Sequence, residues 1–184
     1  MNANTNTTLD AVHAGIVAAI KTQFPDLKTV EAYRLDRKNL PTPACLIELT
    51  DMETGVDPDP ATEQLAVLAR FEARFVMSFK QGLKNPKLEV RKLASAFAVF
   101  AKFKRWGCPI GAAEVVGIFP DDFDAELDQF ECFRVEWQQV IHLGETIWTD
   151  SGIIPEPYYS WSPDIGIPNE PDYKRFNEFM GAPE

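Results

Sequence analysis

Two histidines, His13 and His142, are the residues of this chain best suited to general base catalysis or zinc binding. Either chemistry needs further ligands or a nucleophile at a fixed spacing. Neither histidine lies in an HExxH pattern or a Cys/His pattern. His13 falls at the margin of an apolar helix face, and His142 falls on the strand face opposite Trp137. We therefore predict structural roles for both.

An acidic run between Asp121 and Glu131 could in principle hold calcium. Counted from Asp122, carboxylates occupy positions one, three, five and seven of a possible EF-hand loop. Position six is Leu127, where that loop needs glycine, and position twelve is Phe133, where it needs a bidentate acid. The EF-hand interpretation therefore fails. We expect a solvated or partner-facing acidic loop, with another kind of cation site as the alternative. Its candidate contact residues are Asp121, Asp122, Asp124 and Glu126.

Other recognisable catalytic motifs are missing from the sequence. The three cysteines, Cys45, Cys108 and Cys132, form no CxxC pair, so we expect buried free thiols in a reducing compartment. No GxGxxG, GxxxxGK[ST] or GxSxG motif occurs. The sequence therefore predicts no catalytic residue, no cofactor and no metal, and a protein that is not an enzyme. A small hydrolase with an unrecognised site is the alternative class.

The overall charge limits the possible partners. The 184 residues carry a formal net charge of −10. Phosphate binding needs a basic surface, so bulk affinity for nucleic acid or for an anionic membrane is not expected. An acidic wall past which DNA slides remains compatible with this charge. No secretory leader and no apolar run long enough to span a membrane are visible, so we expect a protein without membrane contact.

Positive charge is concentrated between Lys80 and Arg105, which hold eight of the 18 basic residues. One interpretation is a solvated helix surface. The other is a basic face that meets the acidic loop of an adjacent copy, a head-to-tail contact of the kind that closes rings. The candidate interface residues on the basic side are Lys84, Lys87, Arg91 and Lys92.

The last forty residues, Glu145 to Glu184, combine recurrent prolines with many aromatic residues. Proline excludes most regular structure, whereas disordered linkers are poor in aromatics. We therefore predict an irregular arm that lies on a surface, either of its own body or of a neighbouring copy. The spacing of Phe176, Phe179 and Met180 indicates a short docking helix over Tyr173 to Met180. The predicted anchors of the arm are Trp148, Tyr158, Tyr159, Trp161, Phe176 and Phe179.

The remaining sequence, residues 1–144, predicts an α+β domain with a mainly antiparallel sheet and two principal helices packed on it. Apolar residues recur at helical spacing in the two helices and alternate in the longest strands. Asn85 and Pro86 mark the start of the second helix, and Gly107 and Pro109 mark its end. The predicted elements are a helix over Thr8 to Phe24, strands over Thr29 to Leu35, Ala44 to Met52 and Leu65 to Phe79, a helix from Asn85 to Gly107, and strands over Glu114 to Phe119 and Glu131 to Leu143.

Several segments together resemble the tail terminator proteins of contractile-tailed bacteriophages, in particular the Mu-like group. The resemblance covers roughly Leu9 to Gly144, and none of its motifs is chemically diagnostic. The matching segments are Pro41-Thr-Pro-Ala-Cys-Leu-Ile-Glu-Leu, the strand Leu65 to Phe79, Glu89-Val-Arg-Lys-Leu-Ala, Arg105-Trp-Gly-Cys-Pro-Ile-Gly, Phe119-Pro-Asp-Asp-Phe, Leu127-Asp-Gln-Phe-Glu and Val135-Glu-Trp-Gln-Gln-Val-Ile-His-Leu-Gly.

The resemblance implies a structural virion protein that forms a hexameric ring at the tail–neck junction. Such a ring caps the tail tube and sheath, ends tail polymerisation and provides the surface that joins the head. Its implied partners are other copies of itself, tube and sheath proteins and a head–tail connector, with DNA passing through the lumen without specific binding. The implied localisation is the virion, and the host cytoplasm during assembly. The alternative is another neck, head-closure or minor tail completion protein. The arm beyond Gly144 is longer than expected of the family's core.

Overall fold

The chain folds as two compact units, residues Met1–Thr149 and Asp150–Glu184. The computed structural model describes residues 6–34, 40–55, 61–79, 85–121, 130–147 and 157–176. The larger unit, called the body below, contains α1 (Leu9–Gln23), β1 (Thr29–Ala32), β2 (Ala44–Thr54), β3 (Leu65–Ser78), α2 (Pro86–Ala101), β4 (Glu114–Pro120) and β5 (Phe130–Leu143).

The five strands of the body form one sheet in the order β1-β2-β3-β5-β4. The β2–β3, β3–β5 and β4–β5 pairs are antiparallel, and only β1 runs parallel to its neighbour β2. The α+β prediction is therefore confirmed. The central strands β3 and β5 pair along their whole length, from Leu65 opposite Leu143 to Ser78 opposite Phe130.

Both helices contribute to one hydrophobic core on one face of the sheet. The buried residues of α1 are Val12, Ile16 and Ile20, and those of α2 include Val90, Ala94 and Phe97. They pack against the odd-numbered residues of β3 and β5, where Phe71 stacks on Trp137 with ring centroids 5.3 Å apart. The alternation of apolar residues in the sequence predicts that the odd-numbered residues of β3 face the core. The structure agrees except at Leu65, which is 54% exposed at the end of the strand.

The start of α1 differs by one residue from the expected capping pattern. The spacing of Thr7 and Asp10 predicts a cap at Thr7. The structure instead places the cap at Thr8, whose Oγ1 accepts a hydrogen bond from the Ala11 backbone N–H at 3.1 Å. The cap of α2 is where the sequence predicts it, because the Asn85 side chain accepts from the Leu88 N–H.

The predicted end of α2 is wrong. The helix stops at Ala101, well before Gly107, because the Phe103 N–H bonds to the Ala113 carbonyl at 2.8 Å and the chain reverses there. Phe103 adopts a positive φ of 66° at this reversal. The reversal lets Trp106 enter the core, where it is only 6% exposed.

The smaller unit contains more local structure than the irregular arm that the sequence predicts. Its described part holds a two-stranded sheet of β6 (Tyr158–Tyr159) and β7 (Lys174–Arg175), with a 3-10 helix at Ile167–Asp172 between them. The strand at Lys174–Arg175 contradicts a helix beginning at Tyr173, since the pairing of Tyr158 with Arg175 requires extended backbone. Residues 177–180 of the predicted docking helix lie outside the described residues.

Candidate assembly surfaces

Charged side chains form a network on the sheet face opposite the helices. Glu48, Glu72 and Glu136 lie directly opposite one another on β2, β3 and β5. Like charges in such register repel. In the next row of the sheet, Arg74 lies opposite Arg134, and their positive charges offset the repulsion among the three glutamates.

Arg74 is the centre of this network. Its guanidinium contacts the Glu48 and Glu72 carboxylates, and its Nε donates to Asp121 Oδ2 at 2.9 Å. Burial alone would lower the pKa of Arg74, but the hydrogen bond to Glu48 and the charges of Glu72 and Asp121 outweigh burial and raise it. The guanidinium therefore stays charged and holds three carboxylates together. Arg134 adds a contact of 2.8 Å between its Nε and Glu136 Oε1.

We call this side of the body the acidic sheet face. No helix or strand among the described residues of the body packs across its centre. A depression of about 380 Å³ opens there, lined in part by Asp51, Arg70, Glu72 and Gln138. Acidic groups outnumber basic ones on this face. Its charged residues on the strands and at Asp121 are the acids Glu31, Glu48, Asp51, Glu53, Glu72, Glu114, Asp121 and Glu136 and the arginines Arg70, Arg74 and Arg134.

The basic segment lies mostly on α2 and on the loop that follows it. Lys87 and Lys92 are exposed, and Lys92 pairs with Glu89 of its own helix at 2.8 Å. Arg91 is engaged within its own chain, because its Nη1 lies 3.1 Å from Glu131 Oε1 and its guanidinium covers the Phe133 ring at 4.6 Å. Lys84 lies outside the described residues. The acidic and basic segments thus meet within one copy at Arg91 and Glu131.

The described end of the acidic loop is also paired within the chain. Asp121 contacts Arg74 at 2.9 Å and approaches Arg134 at 3.8 Å. The other predicted contact residues of the loop, Asp122, Asp124 and Glu126, lie outside the described residues. Among the residues that the structure describes, no three His, Cys, Asp or Glu side chains are grouped to hold a metal ion.

His13 occupies a packed position in the body. Its Nδ1 lies 2.7 Å from the Leu9 carbonyl, and its ring contacts Tyr33 and Phe71 with centroids 5.1 and 5.8 Å away. His142 lies on β5 opposite Ala66, on the face away from the helices. The two histidines are therefore on different faces of the sheet and cannot act on a common group.

The cysteines are not paired with one another. Cys45 and Cys132 are buried, as the sequence predicts, whereas Cys108 is half-buried and its Sγ lies 3.6 Å from the Ala11 carbonyl. Burial, and secondarily the charge of Cys132, raises the pKa of the Cys45 thiol. That thiol is therefore a core group rather than a nucleophile.

The smaller unit exposes much apolar surface. Trp161 and Ile167 are 71% and 81% exposed, although Trp161 packs edge-on against Tyr159 with ring centroids 6.3 Å apart. A depression of about 160 Å³ lies between Tyr159, Ser160, Trp161 and Phe176. The predicted anchors Tyr159, Trp161 and Phe176 thus share one small surface, whereas Tyr158 alternates with Tyr159 along β6 and points to the other side of the two-stranded sheet. Trp148 and Phe179 lie outside the described residues.

The unit is held together by polar contacts that the sequence does not signal. The Gly166 N–H donates to the Tyr173 hydroxyl at 2.7 Å, and the Phe176 N–H donates to the Pro157 carbonyl at 2.9 Å. These contacts close the segment on itself and keep its aromatic side chains at the surface. The result is a folded element that exposes large apolar side chains among charged ones, which favours a docking role over that of a linker.

Comparisons with known proteins leave the family open. No protein-family model matches the sequence, and a search of curated proteins finds no significant match. The helices within the described ranges are too short or too polar to cross a membrane.

Proposed function

We propose that this protein is a structural component of a contractile phage tail, which forms a hexameric ring capping the tube and sheath. In this role it ends tail polymerisation at the tail–neck junction and presents the surface that joins the head. Its partners are then further copies of itself, the tube and sheath proteins and a head–tail connector. It performs no catalysis, and it acts in the virion after assembling in the host cytoplasm.

The observation that carries the proposal is the apolar surface that the smaller unit exposes. Soluble monomers rarely expose large contiguous apolar patches, and such patches mark contact sites. Aromatic residues dominate the energy of protein interfaces. Tyr158, Trp161 and Phe176 are 51%, 71% and 42% exposed within a folded unit, so they can bind a partner at little cost in ordering.

The charge of the chain supports the same role. A ring through which DNA passes must not retain it, and an acidic surface repels phosphate. The net charge of −10 meets that requirement. The resemblance of residues 9–144 to tail terminators supplies the particular position, at the end of the tail.

Tube growth tests the proposed function directly. The tube protein of the same phage would be polymerised with and without this chain, and tube lengths would be measured by negative-stain microscopy. We expect capped tubes that stop growing, with a ring at one end. A chain carrying Trp161→Ala and Ile167→Ala would serve as the matched control that folds but docks poorly. Unchanged tube growth with the unaltered chain would contradict the proposal.

A further inference from the structure

The outward side of α2 carries two exposed apolar residues with lysines beside them. Helix geometry places Leu88, Ser95 and Val99 along one line, because Ser95 follows Leu88 by seven positions and Val99 follows Ser95 by four. Leu88 and Val99 are 46% and 79% exposed. Lys92 and Lys102 lie on either side and are exposed. We call this surface the outer face of α2.

The outer face of α2 and the acidic sheet face lie on opposite sides of the body. The buried side of α2, with Val90, Ala94 and Phe97, packs on the inner face of the sheet, so its outer face points away from the sheet. The acidic sheet face is the other side of that same sheet. One body therefore carries a cationic helix surface on one side and, on the other, an acidic sheet face with a depression at its centre.

These two surfaces complement each other in charge. A mainly antiparallel sheet commonly packs one face on the core and leaves the other face accessible, so the acidic sheet face is open to a partner. On the acidic sheet face, Asp51 and Glu114 lie in one row across the strands with Arg70 between them, at the edge of the central depression. The lysines of a helix laid across this row would meet carboxylates.

We propose that the outer face of α2 of one copy docks on the acidic sheet face of the next copy. The contact is head to tail, since its two halves are on opposite sides of the body. Such a contact repeats from copy to copy, and it closes into a ring if the rotation between successive copies is a whole fraction of a turn. This inference rests on the ring of the proposed function and names its interface. It keeps Lys92, whose pair with Glu89 of the same helix is exposed and therefore weak, and it uses Lys102 in place of Arg91, whose partner Glu131 is more buried.

Reciprocal charge reversal in full-length chains tests the contact. One variant carries Lys92→Glu and Lys102→Glu, and the other carries Asp51→Lys and Glu114→Lys. Each variant alone brings like charges together, so we expect its self-association to weaken by about tenfold or more. An equal mixture restores opposite charges at every contact, so we expect association to return to that of the unaltered chain. Analytical ultracentrifugation and native mass spectrometry measure the copy number.

A crosslinking experiment locates the contact independently of its strength. A Val99→Cys chain is mixed with an Asp51→Cys chain and treated with a short bismaleimide, and the linked peptides are identified by mass spectrometry. We expect a link between positions 99 and 51 of different chains. A Thr22→Cys chain, with its cysteine exposed on α1, replaces the Val99→Cys chain as the control and should not link to position 51.

The outcomes separate this inference from the proposed function. Rings that persist in both charge variants, or that form without the 99–51 link, overturn the interface and leave the ring intact. A link from position 99 only to a tail protein also overturns it. An unaltered chain that stays monomeric at every concentration overturns the interface as well, and tube capping then decides the function separately.

Discussion

At the residue scale, Gln139 joins the two halves of the aromatic core. Its Oε1 accepts from the indole N–H of Trp106 at 2.8 Å and of Trp137 at 3.0 Å, and its Nε2 donates to the Gly111 carbonyl. The side chain is only 1% exposed. A buried polar group is tolerated when its hydrogen bonds are made. Here the bonds with Trp106 and Gly111 hold the loop after α2 to the sheet, and the bond with Trp137 lies within β5.

Replacing Gln139 by leucine should therefore be costly. The substitution leaves two buried indole donors and one carbonyl without partners, which should lower the free energy of unfolding by about 2–4 kcal/mol. Urea denaturation followed by tryptophan fluorescence measures the change. Gln138→Leu is the matched control, because Gln138 bonds only to Glu114 at the surface and should cost less than about 0.5 kcal/mol. Equal costs for the two variants would contradict the role of Gln139.

The Cys45 thiol should make the body sensitive to alkali. Burial raises its pKa in the folded protein, whereas the unfolded thiol ionises near pH 8.5. The stability it contributes is complete below that pH and is lost as pH rises toward the folded pKa. The free energy of unfolding should fall by up to ~1.4 kcal/mol per pH unit above about pH 8.5. A Cys45→Ala chain should show a shallower alkaline slope, and an identical slope would contradict the prediction.

At the scale of elements, α1 lies unusually close to the loop after α2. A Cβ added at Gly15 would lie 2.4 Å from the Trp106 carbonyl oxygen, which is a backbone atom and cannot turn aside. The glycine in this helix is thus required by the close approach of another segment.

Gly15→Ala should accordingly destabilise the body, although alanine favours helices by about 1 kcal/mol. Overpacking against backbone should cost ~1–3 kcal/mol net. Ala18→Gly, at an exposed position of the same helix, should cost about 1 kcal/mol by propensity alone. Thermal unfolding of both chains checks this, and stabilisation by Gly15→Ala would show that the close approach is absent.

Local patterns in the sequence predict most helices and strands of the body, but they do not predict features that depend on contacts between distant segments. The alternation in β3 and β5 and the periodicity of α1 are local, so these elements appear within one or two residues of their expected bounds. The end of α2 depends on the bond from Phe103 to Ala113, and the 3-10 helix of the smaller unit depends on proline-rich turns. Periodicity carries no information on either.

The candidate site was predictable only in part for the same reason. Charged residues alternate visibly on β3, but the rows that join Glu48, Glu72 and Glu136 exist only once β3 pairs with β5 far along the chain. That register cannot be read from one sequence. Conversely, the sequence locates the cations of α2 but cannot show that Arg91 is engaged by Glu131 within its own chain.

At the scale of the whole molecule, the smaller unit should serve assembly rather than folding stability. Trp161→Ala with Ile167→Ala removes apolar surface that is already exposed, so the melting temperature should change little. Tail capping should be lost, because truncating interface anchors commonly costs ~2 kcal/mol or more each. Calorimetry and tube-length measurement separate the two effects. Unfolding of the variant chain, or full capping by it, would contradict this division of roles.

The proposed ring is most directly tested by examining the end of an assembled tail. A cryo-electron microscopy map of the tail–neck junction counts its copies and shows their contacts. We predict a closed hexameric ring in which the outer face of α2 of each copy lies on the acidic sheet face of the next. A single copy at the tail end, or the absence of this protein from the junction, would contradict the ring.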